Sequence, residues 1–281
     1  MSDIEMEDWA GEIGDRWLMH IDRFESMIGQ IGTALLDFAA FKPGERVVDV
    51  GCGGGPTTLG IARAVAPGGS VTGIDIAPQL ISEAEQRRLA AGQDNCSFVC
   101  ADAQRADLGA GAFDRLTSRF GVMFFEDSLA AFTNMRGWLK PGGDAVFACW
   151  GPPPENTWIA LVGQVIGQFA EVPQRDPSGP GPFRFADPQA TGAMLEAAGF
   201  SDVSFTPHRA EQPLGGAGSS PAEAAGFVLD SLAMRGVLEA QGGVVVARAE
   251  AALVEALTPY YRDGSVMMPG MSWFVRARNP G

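Results

Sequence analysis

The pattern of apolar and polar positions is clearest in residues 47–64, which begin with VVDV. Such a run of β-branched residues is typical of a strand buried on both faces. Four glycines follow in residues 51–55, and they permit a tight turn that leaves the backbone open to a ligand. Pro56 suits the first turn of a helix, which the pattern predicts to continue to Ala64. Together, the strand, the glycine turn and the helix predict the start of a nucleotide-binding unit.

The residues around the glycines distinguish three classes of ligand-binding turn. A phosphate-binding P-loop ends in Gly-Lys-Ser/Thr, and no lysine occurs between Lys42 and Lys140, which excludes this class. A dinucleotide-binding turn, Gly-x-Gly-x-x-Gly, would have glycine at the position of Pro56, so it is disfavoured. A tight connection that binds nothing also uses glycine, and this alternative stays open. The third class has an acidic residue followed by alternating glycines: Asp49, Gly51, Gly53 and Gly55.

Two further apolar stretches lead to a carboxylate. The stretch that begins at residue 70 ends in Asp75, 20 residues after Gly55. At this spacing a carboxylate can accept hydrogen bonds from both ribose hydroxyls of a nucleotide, although it can also cap the next helix. The stretch that begins at residue 96 ends in Asp102. Asp75 is therefore a candidate for a nucleotide contact.

These residues resemble the class I S-adenosylmethionine-dependent methyltransferases. Residues 112–125 and 138–150 resemble the fourth and fifth strands of that family. In order and spacing, residues 44–150 are similar to the methyltransferase core, most closely to the branch of the ubiquinone and menaquinone methyltransferases. The resemblance implies an α/β fold with a doubly wound, mostly parallel seven-stranded sheet of Rossmann-like methyltransferase order and a helical cover. It also implies one reversed strand near residues 271–277.

Three segments outside the core are expected to determine substrate choice. We predict an N-terminal helical cover (1–40), a cofactor-binding core (41–150), and the rest of the sheet (151–281) with cover helices inserted at about 151–186 and 210–265. These helices would form a mobile cover that excludes water, or else pack as ordinary helices. Apolar residues recur in the first segment with a helical period. Four glycines are predicted to break it into short helices: Gly11, Gly14, Gly29 and Gly32.

Composition and charge limit the possible partners. With 281 residues, 46% of them hydrophobic, the chain can form one large domain or a core with a cover. No apolar run approaches the ~18 residues of a membrane span, and the acidic N-terminus differs from a signal peptide, so we expect a cytoplasmic protein without stable membrane insertion.

Lys plus Arg number 20 against 34 Asp plus Glu, a formal charge of −14. The sequence has no stripe of basic residues that could neutralise a phosphate backbone. A small-molecule acceptor is therefore favoured over nucleic acid. The oligomeric state is not predicted.

The four cysteines predict neither disulfides nor a metal site. Cys52, Cys96, Cys100 and Cys149 are few enough to fit a reducing compartment. Cys96 and Cys100 would lie ~13 Å apart along one strand, too far to share a metal ion.

The resemblance implies S-adenosyl-L-methionine as the cofactor. Asp102 corresponds to the residue that accepts a hydrogen bond from the adenine amino group in family members. Arg119, directly after the fourth strand, either binds the methionine carboxylate or pairs with a surface acid. The predicted cofactor-binding residues are Asp49, Gly51, Gly53, Gly55, Asp75, Ile76, Asp102, Ala103 and Arg119.

Candidates for acceptor binding and base catalysis are fewer. An apolar stretch after the fourth strand and one tryptophan are predicted to contact the acceptor, although such side chains also occur in ordinary cores. His20 is the candidate general base because it lies on the apolar stripe of the first segment; the alternative is a packing histidine. His208, near a sheet edge, is less favoured. The predicted acceptor residues are Phe120, Met123, Phe124 and Trp158.

The predicted function is methyl transfer from S-adenosylmethionine to a small apolar or aromatic acceptor, with oxygen favoured over carbon or nitrogen. The sulfonium activates its own methyl group, so positioning an acceptor about 3 Å from that carbon supplies much of the catalysis. One alternative is a sensor or accessory protein that binds the cofactor without catalysis. A second alternative is a nicotinamide-dependent enzyme.

Overall fold

The main sheet has seven strands in the order β3-β2-β1-β4-β5-β8-β6. The computed structural model describes residues 8–171 and 179–281. A short eighth strand, β7, pairs with the start of β8. The strands are β1 (Arg46–Val50), β2 (Ser70–Asp75), β3 (Cys96–Cys100), β4 (Phe113–Arg119), β5 (Leu139–Trp150), β6 (Ser201–Pro213), β7 (Tyr261–Arg262) and β8 (Ser265–Arg278).

The directions of the strands confirm the predicted fold class. Strands β1 to β5 are parallel, whereas β8 runs antiparallel to both of its neighbours, β5 and β6. The reversed last strand is therefore present, but it begins at Ser265 rather than near residue 271. Pro269 and Gly270 lie inside this strand, and both residue types disfavour a strand in a sequence-based prediction.

Helices cover both faces of the sheet. Several begin with proline in the first turn, where its missing N–H costs no hydrogen bond. A 3₁₀ helix, Val122–Phe124, follows β4. The α-helices are α1 (Glu12–Met19), α2 (Ile21–Ala39), α3 (Pro56–Ala64), α4 (Pro78–Ala90), α5 (Ser128–Trp138), α6 (Thr157–Ile166), α7 (Pro188–Ala197), α8 (Pro221–Ser231), α9 (Met234–Glu239) and α10 (Gly243–Leu257).

The N-terminal segment contradicts one prediction. Gly14 lies inside α1, and Gly29 and Gly32 do not break α2, which continues without interruption for 19 residues. The break between α1 and α2 is at His20 instead. Gly32 is tolerated for a packing reason: a Cβ at this position would lie 3.0 Å from Nη1 of Arg119. At position 32, glycine therefore indicates the close approach of the Arg119 side chain and not a helix end.

The core lies on both sides of the central strands. On one face, Phe132 of α5 packs against Phe147 of β5 with ring centroids 5.5 Å apart, and both are fully buried. On the other face, the C-terminal end of α2 is held by two arginines: Arg115 donates to the Ala39 carbonyl (2.7 Å) and Arg276 to the Phe38 carbonyl (2.9 Å). These two bonds fix the C-terminal end of α2 over the amino-terminal half of β4.

None of the described helices is both long and apolar enough to cross a membrane.

Candidate active site

The three alternate glycines of the turn after β1 have different surroundings. All three have left-handed backbones, with φ of +64° at Gly51, +54° at Gly53 and +81° at Gly55. A Cβ on Gly51 would lie 2.6 Å from Cα of Gly121, and one on Gly55 would lie 2.9 Å from the Phe98 ring. A Cβ on Gly53 would meet no described atom within 4 Å. Gly51 and Gly55 therefore allow close packing, whereas Gly53 faces open space where a ligand can lie.

Asp75 connects the end of β2 to this turn. Its Oδ2 accepts a hydrogen bond from the Gly53 N–H (2.8 Å), and its Oδ1 accepts one from the Ala77 N–H (2.9 Å). Burial raises the pKa of this carboxyl group. Asp75 does not cap α4, whose N-cap is Ala77 without a side-chain cap bond. It holds local backbone instead, and each of its oxygens keeps a lone pair that a ribose hydroxyl could use.

The other predicted nucleotide contacts lie at the same edge of the sheet. Ile76, directly after β2, is 45% exposed although it is large and apolar. Asp102 follows β3, which pairs with β2, and its Oδ1 accepts a hydrogen bond from the Gln104 N–H (2.9 Å). Ala103 beside it is buried. An exposed apolar side chain next to a partly exposed carboxylate suits a flat heterocycle with an amino group.

Asp49 and Arg119 are an acidic and a basic residue, and each has a buried polar atom without a hydrogen-bond partner among the described residues. Oδ2 of Asp49 accepts a hydrogen bond from the Thr58 hydroxyl (2.7 Å), but Oδ1 has no partner among the described residues. Burial raises the pKa of Asp49 to about 7. The Arg119 side chain lies against α2 at Gly32, and its Nε is buried without a partner in the described chain. Burial lowers the pKa of Arg119.

Sequence reasoning missed two residues that shape the turn. Thr58, in the first turn of α3, orients Asp49. Gly121 lies so close to the turn that a Cβ on it would be 2.7 Å from Cα of Gly51. The preceding residue, Phe120, has a left-handed backbone (φ +65°), which is rare for a bulky residue and common near functional sites. No local signal marks Gly121 in the sequence, because its close neighbour Gly51 lies in another part of the chain.

Three of the four predicted acceptor residues are part of the core. Phe120 stacks on Trp150 with centroids 4.2 Å apart, and Trp158 packs at 5.6 Å from the same ring. Met123 is fully buried. Phe124 is the exception, because it is half-buried and contacts the N-terminal segment.

Aromatic residues of the N-terminal segment pack with Phe124 and Phe227 in a group that we call the cover cluster. Trp17 of α1 and Phe24 of α2 stack at 3.9 Å with nearly parallel rings. His20, between them in sequence, is half-buried and meets the Phe227 ring edge-on at 5.8 Å. His208 is remote from the glycine turn, on the edge strand β6, where it stacks on Phe274 and burial lowers its pKa. The cover cluster comprises Trp9, Trp17, Phe24, Phe124 and Phe227.

Helix α1 crosses the carboxyl-terminal edge of the sheet. Its side chain Trp17 packs against a small cluster of Ile21, Ala77 and Leu80, two of which follow β2. Trp9, just before the helix, contacts Phe124, which follows β4, at 4.8 Å. Because β1 lies between β2 and β4 in the sheet, α1 passes over the glycine turn.

Within residues 8–171 and 179–281, no three His, Cys, Asp or Glu side chains are grouped closely enough to hold a metal ion. The four cysteines are free, and Cys100 is the exposed one.

Comparison with known proteins agrees with this architecture. Residues 47–143 match the family model described as a methyltransferase domain. The chain is 31% identical to the nocamycin O-methyltransferase of Saccharothrix syringae over 62% of its own length and 65% of the relative's. It is 30% identical to the demethylmenaquinone methyltransferase of Thermus thermophilus over 59% of its own length and 79% of the relative's. The first curated relatives are matched over less than two thirds of their lengths, 53% and 65%.

A solved structure supports the fold. Phosphoethanolamine N-methyltransferase 2 of Haemonchus contortus, in complex with S-adenosylhomocysteine, superposes with a TM-score of 0.58 and 16% identity. The superposition covers 98% of this chain and 59% of that one.

The chain belongs to the class I S-adenosylmethionine-dependent methyltransferases. The family's cofactor fits the residues present. Asp49 Oδ1 and Arg119 offer one acceptor and one cationic donor that no described residue uses, and Gly53 leaves open space between the turn and solvent. A ligand with an ammonium group, a carboxylate and a ribose matches this set of groups.

Proposed function

We propose that this protein transfers a methyl group from S-adenosylmethionine to a small acceptor. The observation that carries the proposal is a pair of buried polar atoms, Oδ1 of Asp49 and Nε of Arg119, that have no hydrogen-bond partner among the described residues, together with the open space at Gly53. Polar groups buried without partners are costly, so their retention together is best explained by a ligand that satisfies both. When bound, the cofactor supplies a methyl group already activated by the neighbouring sulfonium.

The chain's own residues bind and orient the cofactor in this proposal. Arg119 binds its carboxylate, Asp75 accepts hydrogen bonds from its ribose hydroxyls, and Asp102 accepts one from the adenine amino group. Ile76 and Ala103 provide apolar contacts to the ring. Helix α1 lies over the turn and excludes water, which strengthens every electrostatic interaction beneath it.

The acceptor is proposed to be small and apolar or aromatic, with oxygen as the methylated atom. Support comes from the half-buried ring of Phe124 after β4 and from the half-buried rings of Trp9, Trp17 and Phe24 in the cover cluster, which suit a flat apolar molecule. Phe124 is the favoured contact, because it is half-buried, whereas Phe120, Met123 and Trp158 are buried in the core.

A hydroxyl acceptor must lose its proton, and we propose His20 as the base that removes it. The imidazole is half-buried beside the cover cluster and makes no side-chain hydrogen bond within the described part of the chain. One ring nitrogen is therefore available to an acceptor hydroxyl.

Transfer of a labelled methyl group tests the proposal. The protein is incubated with methyl-labelled S-adenosylmethionine and fractionated small molecules from cell extracts, and labelled products are identified by mass spectrometry. Arg119→Met should abolish labelling, whereas Arg209→Met, at an exposed arginine paired with Glu155, should not. Cofactor binding without any labelled product would favour a sensor or accessory protein. Calorimetric binding of NAD but not S-adenosylmethionine would favour a nicotinamide-dependent enzyme.

A further inference from the structure

An acid of helix α2 reaches the outer side of the glycine turn. A Cβ on Gly54 would lie 3.1 Å from Oε1 of Glu25 and 3.2 Å from Nη1 of Arg87. It would also lie 2.6 Å from Cδ1 of Ile21. Helices α2 and α4 therefore enclose the turn at Gly54, and glycine is the residue that leaves room for them.

Glu25 is held in place by an arginine that has more than one acidic partner. Nη1 of Arg87 donates to both carboxylate oxygens of Glu25 at 2.7 Å, and its Nε donates to Glu83 at 2.6 Å. Asp22 lies 3.7 Å from Nη2. The Arg87 guanidinium thus interacts with three carboxylates, so this side of the turn carries more negative than positive charge. The side chains of Glu25 and Arg87 are only 19% and 24% exposed, which limits screening by solvent.

The inner side of the turn has the complementary group. Arg119 lies against Gly32, two helical turns after Glu25 on the same helix, and no hydrogen bond or ion pair joins it to the described residues. Asp49 adds a buried oxygen without a partner. The turn is therefore flanked by the acids Glu25 and Asp49 and by Arg119, whose charge interacts with both acids but whose Nε has no hydrogen-bond partner among the described residues. This arrangement matches a zwitterion, which has an ammonium and a carboxylate group on one carbon atom.

We propose that Glu25 binds the α-ammonium group at the amino-acid end of the cofactor, and that Arg87 is a positioning residue that holds Glu25 for this contact. The inference rests on the proposed function, because it takes S-adenosylmethionine as the ligand. Each oxygen of Glu25 keeps a lone pair beyond its bond to Arg87 and can accept from the ammonium group. Such charge-assisted hydrogen bonds are stronger than neutral ones. Arg87 itself does not touch the cofactor.

The test compares two ligands that differ only at the amino-acid end. S-adenosylhomocysteine has the ammonium and carboxylate groups, whereas 5′-methylthioadenosine has the same adenosine thioether without them. Isothermal titration calorimetry with Glu25→Gln should show S-adenosylhomocysteine weakened about tenfold or more, with 5′-methylthioadenosine changed less than about twofold. Arg87→Met should show the same selective loss with a smaller magnitude. Glu83→Gln is the matched control, because it loses an ion pair to Arg87 on the side away from Gly54, and both ligands should bind it nearly normally.

The outcomes separate this inference from the proposed function. An unchanged affinity of Glu25→Gln for S-adenosylhomocysteine would overturn the inference alone. Equal losses for both ligands would also overturn it, because they would show that Glu25 acts only through the fold. Failure of the unmodified protein to bind S-adenosylhomocysteine would overturn the proposed cofactor use and the inference with it.

Discussion

At the scale of single residues, the glycine turn shows that one motif can combine different physical requirements. Gly51 and Gly55 are needed because other protein atoms would meet a Cβ there, at Gly121 and at Phe98 respectively. Gly53 is needed for its left-handed backbone and for the open space beside it. A substitution at Gly53 therefore tests ligand binding more directly than one at either neighbour.

We expect Gly53→Ala to fold and to lose cofactor binding. The methyl group meets no described protein atom, so the cost to folding is the left-handed strain, roughly 1–2 kcal/mol, while the same group projects toward the cofactor. Gly92→Ala is a matched control, since Gly92 has a similar φ (+59°) and an equally open Cβ position in the loop between α4 and β3. Thermal melting and calorimetry of both variants check the prediction. Normal binding by a folded Gly53→Ala protein would refute the proposed cofactor position.

The raised pKa of Asp49 predicts a pH dependence of cofactor binding. In the free protein burial raises this pKa to about 7, so below pH 7 the carboxyl is protonated. A cationic ligand favours the ionised form, and binding at acid pH must therefore release a proton. Affinity for S-adenosylmethionine should fall by up to about tenfold per pH unit below 7 and stay constant above it. Calorimetry from pH 5.5 to 8.5 measures this slope, and Asp49→Asn should remove it. A slope that persists in Asp49→Asn would assign the titration to another group.

At the scale of elements, the strands and the glycine turn could be predicted from the sequence because their signals are local. The run of β-branched residues at 47–50 and the proline at position 56 mark β1 and α3 within a few residues of their observed bounds. The continuity of α2 could not be predicted, because the reason for Gly32 is Arg119, 87 residues later in the chain. The start of β8 was missed because Pro269 and Gly270 disfavour a strand, yet β8 pairs with β6 across both residues. Its pairing with β5 begins only at Ser272, so Pro269 lies where one side of β8 is not paired in the main sheet and a missing N–H can be tolerated.

Two glycines of α2 provide a test of this packing argument. Gly29 has open space at its Cβ position, so Gly29→Ala should stabilise the protein by roughly 0.5–1 kcal/mol through higher helix propensity. Gly32→Ala gains the same propensity but must displace Arg119, whose Nη1 would lie 3.0 Å from the new methyl group. We expect Gly32→Ala to weaken binding of S-adenosylhomocysteine and Gly29→Ala to leave it unchanged. Denaturant unfolding and calorimetry measure both effects, and equal affinities in the two variants would contradict the assigned role of Arg119.

At the scale of the whole molecule, the site combines segments that are remote in sequence. The cover cluster joins residues of the first 24 positions to Phe124 and Phe227, and no local periodicity contains that information. The sequence indicated an apolar stripe in the N-terminal segment but not what it packs against. His20 lies where α1, α2 and α8 meet, so its role in catalysis and its role in packing have to be separated by experiment.

A pair of variants separates these roles. If His20 is the base for a hydroxyl acceptor, His20→Ala should lower turnover by ~10² to 10⁴ with cofactor affinity nearly intact, because its task arises only when the acceptor proton leaves. Phe227→Leu disturbs the same ring contact but keeps the imidazole, so it should lower the melting temperature and reduce turnover much less. Turnover from pH 5.5 to 9 and thermal melting are measured for both variants. If folded His20→Ala has the same turnover above pH 7 as the unmodified protein, His20 is a packing residue and not the base. The acceptor would then be a carbanion, an amine or an ionised phenolate, whose methylation requires positioning without a base.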